Sequence, residues 1–139
     1  MNFVVDASFA LAWVLQDEAT VATDEILDSL GEGAKAFVPA LWLWEIGNAL
    51  LGVERRKRAT TAEVGRHLTL LQSYPIEIDE AAVNQAWIGT HLLAQKHKLT
   101  GYDAAYLELA IRRGLPLATL DTELAAAAKA EKIEVFAAS

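Results

Sequence analysis

The chain has 139 residues, of which 53% are hydrophobic and 22% are charged, so it can bury a substantial core and is too apolar for a disordered protein. It contains no cysteine, which excludes disulfides and thiolate metal sites and fits a reducing cytoplasm. The formal net charge of -7 argues at first against a nucleic-acid partner, because phosphate binding normally requires a basic surface.

The distribution of charge weakens that argument. Residues 1–34 contain seven acids and no Lys or Arg, so acids and bases balance in the rest of the chain. The bases concentrate in Arg55, Arg56, Lys57 and Arg58, which we call the basic segment. This segment is a candidate for contact with nucleic-acid phosphates. The alternative is a favourable position at a helix C-terminus, followed by a solvated turn before the predicted capping box Thr60-x-x-Glu63.

Neither a targeting segment nor a membrane span is predicted. No Lys or Arg precedes Lys35, and Asp6 lies directly before the apolar stretch 7–15, unlike the charge order of a signal peptide. No apolar run approaches the roughly 20 residues that cross a bilayer. We therefore expect a soluble, cytoplasmic protein.

Short apolar runs alternate with longer helical patterns along the chain. The predicted strands are 2–5, 36–38, 75–78, 116–120 and 133–136. The predicted helices are 8–16, 20–31, 40–57, 61–73, 80–97, 103–113 and 122–131. No repeat or linker interrupts this order, which favours a single domain over 1–139. The alternation predicts an α/β fold, a three-layer α/β/α sandwich with a central parallel sheet of four to five strands.

Three aspartates are candidates for chemistry in such a fold. Asp6 and Asp121 each end a predicted strand and precede a helix, and ligands of open parallel sheets bind beyond the carboxyl ends of the strands. Asp103 opens a predicted helix after Thr100. Each aspartate has an alternative role as a helix cap, and Thr100-x-x-Asp103 has the spacing of a capping box.

Glu45 favours the functional interpretation. It is the only charged residue between Pro39 and Val53, in a helical pattern that is otherwise apolar. A carboxylate there is costly unless it is paired or binds a metal, and no base lies one turn away. Asn48, three residues on, extends the polar stripe. The alternatives are a Glu that reaches water at a groove or pairs with a distant Arg.

Carboxylates that gather without bases repel one another, and a hard divalent cation such as Mg²⁺ removes that penalty. Such a cation activates water and stabilises charge on a phosphoryl oxygen, which is the chemistry of a hydrolytic nuclease. Zinc is disfavoured, because the chain has no cysteine and its histidines lack a ligand spacing.

The tryptophans are candidates for base stacking, although core packing is the commoner role of a helical Trp. A helix that carries both Trp42 and Trp44 cannot easily turn both of them inward. We therefore expect one of them to face a dimer mate or a segment of a protein partner laid into a groove.

Four motifs in order now resemble the PIN-domain family, and more narrowly the VapC-type toxins of toxin–antitoxin pairs. They are Val4-Val5-Asp6-Ala7-Ser8, Glu45-x-x-Asn48-x-Leu50, Tyr102-Asp103-Ala104-Ala105-Tyr106-Leu107 and Leu117-Ala118-Thr119-Leu120-Asp121. The resemblance implies a Mg²⁺- or Mn²⁺-dependent endoribonuclease that dimerises and is inhibited by a cognate VapB-like antitoxin. It makes Asp6, Glu45, Asp103 and Asp121 the catalytic metal residues, with Ser8 and Thr119 as polar supports, Asn48 as a support for Glu45, and Glu123 as an accessory acid.

Three other functions stay open at this point. The first is a housekeeping RNA-processing nuclease of the same family that has no antitoxin. The second is a phosphotransfer protein with Asp6 at a strand end, although Asp6-Ala7-Ser8 lacks the second Asp of a phosphatase motif. The third is a non-catalytic binding domain in which the acids only cap helices.

Overall fold

The structure is a computed structural model and describes residues 1–137. Its strands are β1 (Phe3–Val5), β2 (Ala36–Val38), β3 (Ile76–Ile78), β4 (Leu117–Ala118) and β5 (Val135–Phe136). Its helices are α1 (Ala7–Leu11), α2 (Val21–Gly31), α3 (Leu41–Arg55), α4 (Thr61–Ser73), α5 (Ala82–Gln85), α6 (Gly89–His97), α7 (Gly101–Arg113) and α8 (Thr122–Ala130), with a 3₁₀ turn at Gln16–Glu18. Within residues 1–137, no helix is both long and apolar enough to span a bilayer.

The five strands form one parallel sheet in the order β3-β2-β1-β4-β5. The predicted α/β fold, with helices flanking a central parallel sheet, is therefore confirmed. From β1 the chain builds outward through β2 and β3, and then returns to place β4 on the other side of β1. The strand order thus reverses between β1 and β4, which is where parallel sheets bind ligands.

The centre of the sheet and the middle of α7 form the core. Every residue of β1, β2 and β4 is buried, as the uninterrupted apolar runs predict for strands covered on both faces. In α7 the seven residues Ala104–Ala110 are buried, because this helix packs against β1, β4, α6 and α8. The middle of α7 is therefore fixed against the central strands, and its first turn, with Gly101 and Tyr102, is exposed.

A buried ion network joins β3 to the end of α7. Asp79 follows β3 and is only 1% exposed. Its carboxylate accepts two hydrogen bonds of 3.1 Å from the Arg112 guanidinium and one of 2.6 Å from Arg113 Nε. Arg112 also donates to Glu108, and Asp79 caps α5 by accepting from the Ala82 N–H at 2.9 Å. The two arginines neutralise the two buried acids.

Two predicted helices differ from the structure. The predicted helix 80–97 is two helices, because the backbone at Ile88 leaves the helical region (φ -119, ψ -97). A Cβ at the following Gly89 would lie 3.2 Å from Gln85 Oε1, so glycine allows the close return of the chain at this break. The predicted helix 8–16 ends at Leu11 and continues as turns.

Candidate active site

Asp6 lies at the carboxyl end of β1, directly before α1, and is 5% exposed. Its Oδ1 accepts hydrogen bonds from the Phe9 N–H at 2.9 Å and from the Ser8 hydroxyl at 2.7 Å. Its Oδ2 accepts from the Thr119 hydroxyl. Burial raises the pKa of Asp6 despite these three donors, and the Asp103 charge raises it further. Asp6 is thus both the cap of α1 and a rigidly held carboxylate.

Two hydroxyl groups connect the carboxyl ends of β1 and β4. Thr119 Oγ1 donates to Asp6 and accepts from the Asp121 N–H at 3.0 Å, and Ser8 Oγ accepts from the Leu120 N–H at 3.1 Å. Thr119 is completely buried. The predicted supports Ser8 and Thr119 therefore lie where the sequence analysis expects them, and they couple the positions of Asp6 and Asp121.

Glu45 lies in the second turn of α3 and is half-buried. Its Oε1 accepts a hydrogen bond from the Tyr106 hydroxyl, which α7 brings across from the other side of the site. Burial raises the pKa of Glu45, the Tyr106 bond opposes that effect, and the charges of Asp103 and Asp6 add to it. The charges of Asp6 and Asp103 thus act on Glu45, and the Tyr106 bond joins α3 to the helix that carries Asp103.

Asp103 is in the first turn of α7, and its N–H donates to the Thr100 hydroxyl at 3.1 Å. This is half of the predicted capping box, since the carboxyl of Asp103 does not bond back to the Thr100 N–H within the described residues. Burial raises the pKa of Asp103, the charges of Asp121 and Glu123 raise it further, and a hydrogen bond with the Thr100 side chain opposes these effects. The charge of Asp103 is therefore felt among other acids.

Asp121 follows the end of β4 and caps α8. Its Oδ1 accepts from the N–H groups of Glu123 and Leu124, at 2.9 and 3.0 Å. The capping role predicted as an alternative for Asp6 and Asp121 is thus real, and it coexists with their proximity to the other acids. Glu123 is exposed at the rim, where its charge reaches Asp103.

The donors of this site fit a hard divalent cation. Within residues 1–137, Glu45 Oε2 and Asp121 Oδ2 accept no protein hydrogen bond, and no base contributes to the pKa of Asp6, Glu45 or Asp103. In the same range no three His or acidic side chains stand close enough to form a ready-made metal cluster. Burial is the largest cause of the raised pKa values of Asp6, Glu45 and Asp103, and the charges of neighbouring acids add to it. Oxygen-preferring Mg²⁺ relieves repulsion between such acids.

One supporting residue differs from the prediction. Asn48 is exposed and forms no hydrogen bond with Glu45 in the described structure, so it does not hold that carboxylate. Tyr106, which the sequence analysis did not select as a site residue, does so instead. The signal that could have identified Tyr106 is its position three residues after Asp103, on the same face of a helix.

Three residues of the basic segment, Arg55, Arg56 and Arg58, line a groove to which Asn48 also belongs. The groove lies between the residues at and after the end of α1 and the C-terminal half of α3. Its described lining is Leu11, Leu15, Glu18, Asn48, Ala49, Gly52, Val53, Arg55, Arg56 and Arg58. Arg58 forms an ion pair with Asp17 at 2.5 Å. The predicted capping box at Thr60 and Glu63 is present, so both interpretations of this segment have structural support.

The sequence matches the family described as PIN domain over residues 3–130. Among solved structures, the chain is 28% identical to PAE2754 from Pyrobaculum aerophilum, with a TM-score of 0.70 and coverage of 97% of this chain and 83% of that one. It resembles VapBC2 from Rickettsia felis bound to a promoter DNA fragment (12% identity, TM-score 0.68, both chains fully covered). It also resembles a toxin–antitoxin complex from Klebsiella pneumoniae, with 16% identity, a TM-score of 0.54, and coverage of 86% of this chain and 87% of that one. No curated protein sequence matches the chain.

Proposed function

The chain belongs to the PIN domain family, whose members are in general nucleases, and from that premise we propose that it is a Mg²⁺-dependent endoribonuclease and the toxin of a VapBC-type pair. The observation that carries the proposal is the gathering of Asp6, Glu45 and Asp103, each with a raised pKa and none with a basic partner. Mn²⁺ is the alternative ion.

We assign the metal to Asp6, Glu45, Asp103 and Asp121, with Glu123 as an accessory acid. When bound, the ion lowers the pKa of a water molecule and stabilises negative charge on the phosphoryl oxygens. The residues of the chain hold these carboxylates in position for the ion. Ser8 and Thr119 hold the Asp6 carboxylate, and Tyr106 directs the Glu45 carboxylate so that Oε2 remains available.

We further propose that the basic segment binds RNA phosphates. Arg55, Arg56 and Arg58 line a groove that reaches Asn48, one helical turn from Glu45. A phosphodiester chain in this groove therefore leads from a positive surface to the acidic site. The positive segment offsets the chain's net charge of -7, which by itself opposes RNA binding.

Two partners belong to the proposal. The Klebsiella structure, as a toxin–antitoxin complex, supports a VapB-like antitoxin for this chain. An apolar surface on α5 and α6 supports a homodimer, because Val83, Trp87, Ile88 and Leu92 are 62–93% exposed there. Contiguous apolar patches of this kind mark protein interfaces. Such a protein acts in the cytoplasm, where its RNA substrate is found.

The proposal is tested by incubating the purified protein with structured and single-stranded RNAs, in Mg²⁺, Mn²⁺ or EDTA, after removal of any co-purified antitoxin. We expect cleavage in either metal, none in EDTA, and none by Asp6→Asn. Asp28→Asn, which changes an exposed acid on α2, is the matched control and retains activity. Cleavage by Asp6→Asn, or equal cleavage in EDTA, would contradict the assignment.

Thermal melting separates the enzyme from a non-catalytic domain. A metal that binds only the native state raises the melting temperature, and its effect grows with concentration. We expect this shift in the wild-type protein and its loss in Asp6→Asn. No shift in either Mg²⁺ or Mn²⁺ would favour a domain in which the acids are only helix caps.

A further inference from the structure

A pocket adjoins the acidic site on the side of α3 away from the sheet. Its described lining is Leu41, Leu43, Trp44, Glu45, Gly47, Asn48, Leu51 and Tyr102. We propose that this pocket, which we call the aromatic pocket, binds one nucleobase of the RNA next to the scissile phosphate. The inference rests on the proposed nuclease function and names the residues that select the substrate.

Two exposed aromatic rings border the aromatic pocket. Trp44 is 71% exposed and Tyr102 is 67% exposed, although burial of aromatic rings of this size would stabilise the fold. Each directly precedes an acid of the site, Glu45 or Asp103. The rings are therefore fixed to the same helical turns that carry the carboxylates. Exposed aromatic rings beside a backbone-binding groove are the platforms on which single-stranded bases stack.

Polar groups of the pocket supply base recognition. Asn48 is exposed, and its amide offers both a donor and an acceptor, as an edge of a base requires. The pocket is open next to Gly47, since a Cβ added there would meet no atom within 4 Å. The pocket thus has flat aromatic borders, open space and one versatile hydrogen-bonding group.

The aromatic pocket and the basic groove meet at Asn48, which lines both. None of the described residues that line the aromatic pocket is a Lys or Arg, so the pocket offers phosphates no ion pair. The described lining of the groove includes three arginines, which do. One strand can therefore place its phosphates along the groove and turn a base into the pocket. Glu45, at the pocket wall, then faces the phosphate between these two regions.

A protein partner fits the aromatic pocket less well than a base. A protein seated here would cover the half-buried Glu45 carboxylate, which is costly unless that protein also places a basic side chain against it. RNA reaches the same place together with a divalent cation under the proposed function. The α5–α6 surface around Val83 and Trp87 offers a protein partner an apolar contact without acids of the site.

The first experiment is a mutant cycle with an RNA that the wild-type protein cleaves. Abasic nucleotides are placed one at a time on either side of the cleaved bond, and kcat/KM is measured for wild type, Trp44→Ala and Trp87→Ala. We expect one position where the abasic change costs the wild type about tenfold, the size expected for one base–aromatic stacking interaction. Trp44→Ala loses the same tenfold on normal RNA and little more on the abasic one.

Trp87→Ala is the matched control, since Trp87 is an even more exposed tryptophan that does not line the aromatic pocket. Because Trp87 belongs to the proposed dimer surface, any loss of kcat/KM in Trp87→Ala should be the same on normal and abasic RNA, so the ratio of the two values should equal that of the wild type. The same ratio in Trp44→Ala, which means independent effects of Trp44→Ala and the abasic position, would overturn the proposal. A change of oligomeric state in Trp44→Ala alone, measured by sedimentation, would identify a protein interface instead.

The second experiment needs no cleavage and so distinguishes this inference from the nuclease assignment. Tryptophan fluorescence is titrated with AMP, GMP, CMP and UMP in Mg²⁺. We expect quenching by at least one nucleotide, its loss in Trp44→Ala and its retention in Trp87→Ala. Gly47→Leu should also abolish quenching, because a Cβ at this position of the pocket wall meets no atom within 4 Å and the larger side chain then occupies space in the pocket. Quenching that survives both pocket variants would overturn the base site even in an active nuclease.

Discussion

The Tyr106 hydroxyl donates a hydrogen bond to Glu45 Oε1, although the two residues are 61 positions apart in the chain. Tyr106 is 1% exposed, and burial together with the Glu45 bond raises its pKa far above the ordinary value. The hydroxyl therefore stays protonated and remains a donor at every pH at which the protein folds. This bond fastens α3 to α7 at the point where each helix presents an acid.

Tyr106→Phe removes this donor and keeps the ring that packs in the core. We expect Mn²⁺ to bind about 10–100-fold more weakly, because residues that orient metal ligands typically contribute that much. Mn²⁺ titration followed by thermal shift measures the change, and RNA cleavage should fall in parallel. Tyr74→Phe, which removes a hydroxyl away from the acids, is the control. Unchanged Mn²⁺ affinity in Tyr106→Phe would show that Glu45 needs no such support.

Asp103→Asn should stabilise the protein in the absence of metal. Burial and the charges of Asp121 and Glu123 raise the pKa of Asp103, so its charged form destabilises the native state. The penalty is fully present above the raised pKa and disappears as the pH falls toward the unfolded value of about 3.9.

At pH 7 to 8 in EDTA we therefore expect Asp103→Asn to melt about 1–2 °C above wild type, a small shift because solvent screens the charges around a partly exposed carboxylate. The difference should shrink near pH 4, and Mg²⁺ should reverse it by stabilising only the wild type. Melting curves at several pH values, with and without Mg²⁺, measure both effects. A lower melting temperature in EDTA would mean that Asp103 is chiefly a helix cap.

Arg55→Gln with Arg56→Gln should reduce the salt dependence of RNA binding. For each phosphate of a single strand that the protein no longer neutralises, the slope of log K against log salt becomes shallower by about 0.7. Fluorescence anisotropy with labelled RNA at several salt concentrations gives the slope. Lys35→Gln, which removes an exposed charge at the opposite edge of the sheet, should leave the slope unchanged. If the slope changes equally in the arginine variant and in Lys35→Gln, the basic segment is a solvated turn without a role in RNA binding.

Asp79→Asn should destabilise the fold by about 3 kcal/mol, the lower end for breaking a buried ion pair, because Arg112 and Arg113 lose their shared partner. Burial opposes ionisation of Asp79, but the two arginines outweigh it and lower its pKa. The wild-type advantage is therefore present above about pH 4 and lost as the pH falls through the lowered pKa. Urea unfolding at pH 7 and pH 3 measures it, and an equal difference at both would exclude the charge as the cause.

The strand ends and the acids that follow them were predictable from local patterns. An uninterrupted run such as Phe3–Val5, followed by Asp6, identifies a buried strand and its carboxyl end. The run that begins at Leu117 identifies β4 in the same way, with Asp121 three residues after the strand ends at Ala118. The different environments of Trp42 and Trp44 also follow from helical geometry, and they are 5% and 71% exposed. Each of these features depends on residues close together in the chain.

The features that the sequence analysis missed depend on tertiary contacts. The break at Ile88 lies within an unbroken helical pattern and becomes visible only when Asp79 starts α5 and Gly89 approaches Gln85. Tyr106 and Glu45 meet because α3 and α7 lie on either side of one site, and no local spacing relates them. Pairwise contacts over such distances cannot be read from periodicity.

The hydroxyl of Thr119 joins the ends of β1 and β4 across 113 residues of chain. Asp6 is synthesised long before Thr119, so its carboxylate obtains this donor only after β4 has been made and has paired with β1. A growing chain that has not yet reached β4 therefore lacks the assembled acidic centre.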